Sequence, residues 1–228
     1  MSDENGPAPP NCKQFSWSNP SSDCPFQIEG ERPGFHGRWL GLREVFFIDP
    51  KTKSKGVWQV AYRTTTPADA RVDGVSIIPI MTKNSAKERY FICVKTYRIP
   101  LMSWSIEFPA GLVDAKESIE EAAFRELQEE TGYTANKLIS CTKGQQSLDP
   151  GISNDSINLV TVAVDGDAPE NQNPEQRLET GEKIDVLLIP CDRFTEELAR
   201  LTEEGISVEA LVYSFGLGYS FGLAHATS

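Results

Sequence analysis

The chain has 228 residues, enough for one domain of ordinary size with an arm, and a domain of that length can bury most of its apolar surface. Acidic residues outnumber basic ones 33 to 22, and the formal charge of -11 opposes the phosphate contacts on which nucleic-acid affinity depends, so no nucleic-acid partner is expected. No apolar run approaches the roughly 20 residues of a membrane span, so no membrane segment is expected either.

The opening MSDENGPAPP lacks the basic start and apolar stretch of a secretory signal, and its acidic residues argue against a mitochondrial presequence. Five cysteines without C-x-x-C spacing argue against a disulfide framework or a zinc site and fit a reducing compartment, the cytoplasm, with nuclear entry left open. Residues 1–35, rich in Pro, Ser, Asn and Gly with Phe15 and Trp17 as isolated aromatics, predict a mobile tail or an arm that orders on packing. From Trp39 the pattern turns strand-like, WLGLREVFFID and GVWQVAYRTT flanking the turn residues DPKTKSKG. GVSIIPIM and RYFICVKTYR, then INLVTVAV and IDVLLIP, add four strand candidates, the last two separated by a polar insert. RFTEELARLTEEG and ISVEALVYSFGLGYSFGLAHA read as two closing helices. Strands with interspersed helices predict an α/β or α+β fold, a mixed sheet covered on both faces.

The most informative stretch is GLVDAKESIEEAAFRELQEETGY, residues 111–133. Ser118 and Glu121 form an S-x-x-E capping box and Gly132 a left-handed stop, which predicts a helix over Ile119–Thr131. With Ile119 at zero, Ala122, Ala123 and Leu127 project at about 300°, 40° and 80° and define the buried arc. Glu126 and Glu130 fall inside it, at about 340° and 20°, and Glu129 at its edge, at about 280°. Carboxylates so placed raise one another's pKa and are costly to desolvate without a positive partner. Three readings follow from the residues: an ordinary solvated face, a buried ion pair with Arg125 or Lys116, or a site for one or two hard divalent cations.

Gly111, Glu117 and the run Arg125-Glu126-Leu127-Gln128-Glu129-Glu130-Thr131-Gly132-Tyr133 resemble the Nudix box, G-x5-E-x7-R-E-U-x-E-E-x-G-U, at every specified position. The resemblance implies an α/β/α sandwich with a mixed sheet and a Mg2+- or Mn2+-dependent hydrolase of nucleoside diphosphates linked to a second group. It places the metal on Glu126, Glu129, Glu130 and the carbonyl of Ala110, and gives Glu117 and Arg125 structural roles. IEFPAGLVDAKE, SLDPGISNDS and Pro150, seventeen residues beyond Tyr133, resemble the ADP-ribose pyrophosphatase branch. By that resemblance Trp39 and Trp58 stack the adenine, with Gln59 where relatives often carry an acid. Arg63 and Arg98 approach the diphosphate and terminal ribose, Leu112, Asp149 and Gly151 line the substrate, and Glu182 is the general base. The same branch implies a homodimer that exchanges N-terminal strands, here residues 36–72, ahead of a Nudix domain at 73–228. The expected products from ADP-ribose or another ADP-sugar are AMP and the sugar phosphate. Rival readings are another nucleotide substrate, such as a dinucleotide or an oxidised nucleotide, and a non-catalytic ADP-ribose-binding module.

Overall fold

The structure, a computed structural model, describes residues 23–66 and 71–225. Phe15 and Trp17 lie outside the described residues. The described residues divide into two compact units, residues 23–66, 71–73, 112–116 and 145–157 in one and residues 74–111, 117–144 and 158–225 in the other.

The first unit is built on an antiparallel sheet of β1 (Gln27–His36), β2 (Leu40–Ile48) and β3 (Lys55–Arg63), in that order. The β2–β3 turn is set by Asp49, whose Oδ1 accepts from the Lys51 and Thr52 amides, and Lys53 takes a positive φ of 58°. β1 occupies the end of the segment expected to be a mobile tail or an arm that orders on packing, and it was not itself expected as a strand. Its residues are exposed on both faces, so no apolar alternation marks it, and its register shifts near Gly30 and Pro33. Segment 145–157 lies along β3: the Ala61 amide donates to Ile152 O at 2.9 Å and Trp58 Nε1 to Gly151 O at 3.2 Å. Buried Asp73 anchors that segment, accepting from both the amide and the hydroxyl of Ser156 at 2.9 Å and from the Thr66 hydroxyl.

The remaining elements follow in chain order: β4 (Gly74–Lys83), β5 (Glu88–Arg98), β6 (Ser103–Glu107), β7 (Ala110–Leu112), α1 (Ile119–Thr131), β8 (Lys137–Cys141), β9 (Gln146–Ser147), β10 (Ser156–Asp165), β11 (Ile184–Pro190), α2 (Phe194–Glu203), β12 (Ser207–Val208) and α3 (Ala210–His225). The sheet order is β12-β6-β5-β4-β10-β8, with β11 on β5, β7 on β4 and β9 on the start of β10. β12 and β6 run parallel whereas β5 pairs antiparallel with β4, β6 and β11, which makes the sheet mixed, as expected. Ile78, Phe91, Cys93 and Ile106 on one face pack with Phe194 and Leu198 of α2 and Val212 of α3. Ile77, Ile92 and Val94, of opposite parity in the pleat and equally buried, point to the other face, where α1 packs on β4. Every one of these side chains is nearly solvent-free, and each is worth about 1.5–3 kcal/mol of transfer free energy relative to exposure.

α1 has the bounds its capping residues predict. The Ser118 hydroxyl accepts from the Glu121 amide at 3.2 Å while the Glu121 carboxylate accepts from the Ser118 amide at 2.8 Å, and Gly132 stops the helix at φ 76°. A Cβ on Gly132 would lie 2.4 Å from the backbone nitrogen of Glu175 and 2.7 Å from the carbonyl carbon of Pro174. Gly132→Ala therefore combines left-handed strain with a backbone clash. It is expected to cost about 2 kcal/mol and lower Tm by about 4–8 °C, read by thermal unfolding. An unchanged Tm would mean that segment 174–175 yields freely.

Candidate active site

The polar insert, illegible as a structure in the sequence, grips the C-terminal end of α1. The Arg177 amide donates to Glu129 O at 2.8 Å, and Gln176 Nε2 donates to Glu130 O at 2.5 Å and to Ile184 O at 3.1 Å. Carbonyls that a helix end leaves without partners are thereby satisfied. Just upstream, the buried Asn171 side chain accepts from the Thr134 amide and donates to the carbonyls of Thr134 and Asp165.

Of the three helical glutamates, Glu130 is the most deeply buried, and its carboxylate accepts a hydrogen bond from the Ala110 amide at 3.0 Å. Burial pushes its carboxyl up to about 8 against the pull of that amide, and the nearby Glu126 and Glu182 carboxylates add to the rise. Glu126 is shifted in the same direction, chiefly by burial, with Arg125 opposing and Glu129 and Glu182 reinforcing. The Glu126 carboxylate occupies the space a side chain on residue 111 would fill: a Cβ on Gly111 would lie 1.9 Å from its Cδ. Gly111 is thus a cradle for that carboxylate. The sequence motif names the residue but not this reason.

Arg125 organises the outer side of the helix. Its Nε and Nη2 take the two oxygens of Glu117 at 2.8 and 2.9 Å, a bidentate fork, and its Nη1 donates to Glu126 at 2.8 Å and Glu129 at 3.1 Å. Glu117 accordingly holds its guanidinium well above the usual arginine range. The expected ion pair and the expected inward carboxylates therefore coexist: Arg125 engages Glu129 and one oxygen of Glu126, while Glu130 faces inward on the Ala110 amide. Among the described residues no three His, Cys, Asp or Glu side chains form a ready-made ligand cage. Mg2+ does not require one, because it keeps several waters and uses one or two carboxylates together with substrate phosphate. Two desolvated carboxyls shifted toward protonation, with a glycine cleared for one of them, are the donor chemistry a hard divalent cation would relieve.

Glu182 belongs to this neighbourhood, since its charge raises both Glu126 and Glu130. Its loop is held by the Glu179 amide, which donates to Glu182 Oε2 at 2.8 Å. Arg98, at the end of β5, is gripped by Glu107, with Nε donating to Oε1 at 2.9 Å and Nη2 to Oε2 at 2.6 Å. These bonds raise its pKa, and the Glu130 charge adds to them. Its side chain stays half exposed, with Nη1 outside the Glu107 fork.

Two acids here escaped the sequence reading. Glu107 sits in the apolar run SWSIEFPAGL, where a buried acid was the available signal. Glu209, before α3, gave no signal, because an acid at a helix start is ordinary. Its amide donates to Ile106 O at 3.0 Å, and burial beside Glu107 pushes its carboxyl up to about 7 while Arg98 pulls it down. A carboxyl raised in the fold keeps a proton that the unfolded chain releases, so its stabilising effect is full below about pH 4.5 and lost as pH rises through about 7. Glu209→Gln is expected to match the parent near pH 4.5 and to exceed its stability by on the order of 2–3 kcal/mol near pH 8.5, read by urea unfolding. A difference independent of pH would remove the charge from the account.

In the first unit, Trp39 is 62% exposed, with the Arg38 guanidinium 4.4 Å above its ring. Trp58 is 53% exposed and lines an apolar hollow of about 250 Å³ with Phe47, Val60, Pro150 and Ile152. Gln59 donates to Glu44 at 3.3 Å, and Arg63 pairs with Asp155 at 2.8 Å. The Asp149 carbonyl accepts from the amides of Ile152 and Ser153, which turns the chain at Gly151, and Leu112 is 37% exposed. The structure thus places Trp58, Arg63, Asp149 and Gly151 around segment 145–157, and Ala110, Glu126, Glu129, Glu130 and Glu182 around the end of α1.

A mixed-sheet α/β architecture with an arginine-braced acidic helix is the setting in which comparison with known proteins is informative. The NUDIX domain model matches residues 70–207. The chain belongs to the Nudix hydrolase family. It is 38% identical over 181 residues to an ADP-ribose pyrophosphatase of Saccharomyces cerevisiae, covering 79% of this chain and 77% of that one. To an ADP-sugar pyrophosphatase of Mus musculus it is 34% identical over 212 residues, covering 92% and 93%. A crystal structure of an ADP compounds hydrolase superposes with a TM-score of 0.57 at 20% identity, over 76% of this chain and 83% of that one, which supports the fold. Among the described residues no helix is long and apolar enough to cross a membrane.

Proposed function

We propose that the protein hydrolyses the diphosphate of ADP-ribose or a related ADP-sugar to AMP and the sugar phosphate, with Mg2+ as its cation and Mn2+ as a substitute. The observation that carries the proposal is the pair of buried, upshifted carboxyls on α1, one cleared by Gly111 and the other held by the Ala110 amide. The names of the yeast and mouse relatives support the substrate class. Glu126, Glu129, Glu130 and the Ala110 carbonyl would hold the cation. When bound, the cation supplies positive charge that polarises the diphosphate and acidifies water.

In the reaction a water oxygen bonds to one phosphorus, the bridging P–O bond breaks, and the bridging oxygen leaves on the other phosphate. Glu182 accepts the proton of the water. Arg98, fixed by Glu107, offers Nη1 to the substrate, and Arg63 adds a second guanidinium, countering the repulsion that a protein of charge -11 exerts on a polyanion. Trp39 and Trp58 offer ring faces to the adenine, with Gln59, Leu112, Asp149 and Gly151 shaping its surroundings.

The protein acts as a homodimer in which the strands of residues 36–72 are shared ahead of a Nudix domain at 73–228. Exposed Phe35, Leu42 and Val57 on that sheet support an apolar association surface. Four described cysteines are free thiols, which supports residence in the cytoplasm and, by extension, the nucleus.

A substrate panel with released AMP as the readout tests the reading. ADP-ribose or another ADP-sugar is expected to give the highest kcat/KM in the presence of Mg2+. Rapid turnover of a dinucleotide or an oxidised nucleotide beside negligible ADP-ribose cleavage would replace the substrate. Tight binding of ADP-ribose without cleavage would favour a sensing module.

A further inference from the structure

A second cavity lies in the unit that carries α1, at the far end of β5 from Arg98. Arg89 and Arg98 are nine residues apart on one strand, a separation of about 30 Å. The cavity has a volume of about 420 Å³, within the range of small-ligand sites, and forms where the β4–β5 turn, the end of β11 and the last turns of α3 meet. Arg89 shares the parity of Phe91, whose ring packs edge-on against Tyr219 at 5.0 Å, so both side chains face α3. Burial pushes the Cys191 thiol up to about 11 while the Arg89 guanidinium pulls it down, and both residues line the cavity. The charge of Arg193, which also lines the cavity, acts on the Tyr90 hydroxyl.

Lys87, Arg89 and Arg193 line the cavity, and among the described residues none of the three forms an ion pair. Two acids share the wall; Glu88 is engaged by the Tyr90 hydroxyl at 2.5 Å, and Asp192 stands beside Arg193. Three cations against two anions leave a positive balance in a chain whose total is -11. Tyr219 and Leu223 add an apolar wall beside them.

The geometry points to a second binding site, separate from the α1 carboxylates, for a phosphomonoester whose dianion is held by Arg89 and Arg193 and whose flat body lies against Tyr219 and Leu223. Two guanidiniums approaching from different elements suit the three oxygens of a terminal phosphate. No cation is needed, since the site carries its own positive charge.

Titration calorimetry on the full chain in excess EDTA, with inorganic phosphate and with phenyl phosphate, a flat phosphomonoester that carries no adenine, tests the assignment. Both are expected to bind, phenyl phosphate at least as tightly as phosphate. Arg89→Ala combined with Arg193→Ala is expected to weaken phenyl phosphate by at least about 10-fold, while Glu126→Gln leaves it unchanged. Arg193→Gln alone is expected to give an intermediate loss, which guards against a folding defect in the double variant. Absence of binding by either probe, binding that survives the double variant, or binding abolished by Glu126→Gln would each overturn the site. None of these outcomes depends on which substrate the α1 site cleaves.

Discussion

Glu130→Gln is expected to lower kcat at least about 100-fold while leaving the metal-free fold as stable as the parent, or more stable, at neutral pH. Glutamine keeps an oxygen for the Ala110 amide and carries no charge to desolvate, so the cost that pushes the Glu130 carboxyl up to about 8 disappears with the substitution. The raised carboxyl holds its proton below about pH 8, and a cation entering beside it must displace that proton. The half-activating Mg2+ concentration of the parent is therefore expected to fall as pH rises toward 8, a dependence that weakens in the glutamine variant, where only Glu126 keeps a raised carboxyl. Steady-state assays across pH, paired with thermal unfolding in EDTA, separate the two effects. A variant with parental turnover would take Glu130 out of the site, and one that unfolds in EDTA would make the residue structural.

Gly111→Ala is expected to be nearly as damaging to activity with almost no change in stability. The added methyl would meet the Cδ and both oxygens of Glu126 at 1.9–2.3 Å, and these atoms are the free end of a flexible side chain. The carboxylate swings away rather than the backbone. A displacement on the order of 1 Å at a reacting centre costs about 100-fold in rate, and the half-activating Mg2+ concentration is expected to rise about 10-fold. Titration of activity with Mg2+, set against the unfolding midpoint, reads both. A large loss of stability with unaltered metal dependence would reduce Gly111 to a packing residue.

How much of this was legible follows from the range of the interactions concerned. α1 could be bounded to the residue because its start and stop are written within four positions of each end, in Ser118, Glu121 and Gly132. The inward turn of Glu126 and Glu130 came from helical periodicity alone, and β2 to β5, β10 and β11 from their apolar runs. β1 was missed because a strand with two wet faces carries no alternation, and β6, β8 and β12 are too short to show a period. Glu107 and Glu209 join the neighbourhood of Arg98 only through the β5–β6 pairing and the seating of α3, contacts with no local sequence trace. The three-dimensional reason for Gly111, a space reserved for a side chain fifteen positions later, lay equally beyond a motif.

The hold of Gln176 and Arg177 on the carbonyls of Glu129 and Glu130 makes the polar insert less expendable than its composition suggests. Anyone shortening or replacing that loop, to graft a tag or alter substrate range, has room to cut before Asn171 and none from there to Glu182, which rests on the Glu179 amide. A splice inside that stretch would reach the acidic helix by way of its backbone, with no chemical group there exchanged.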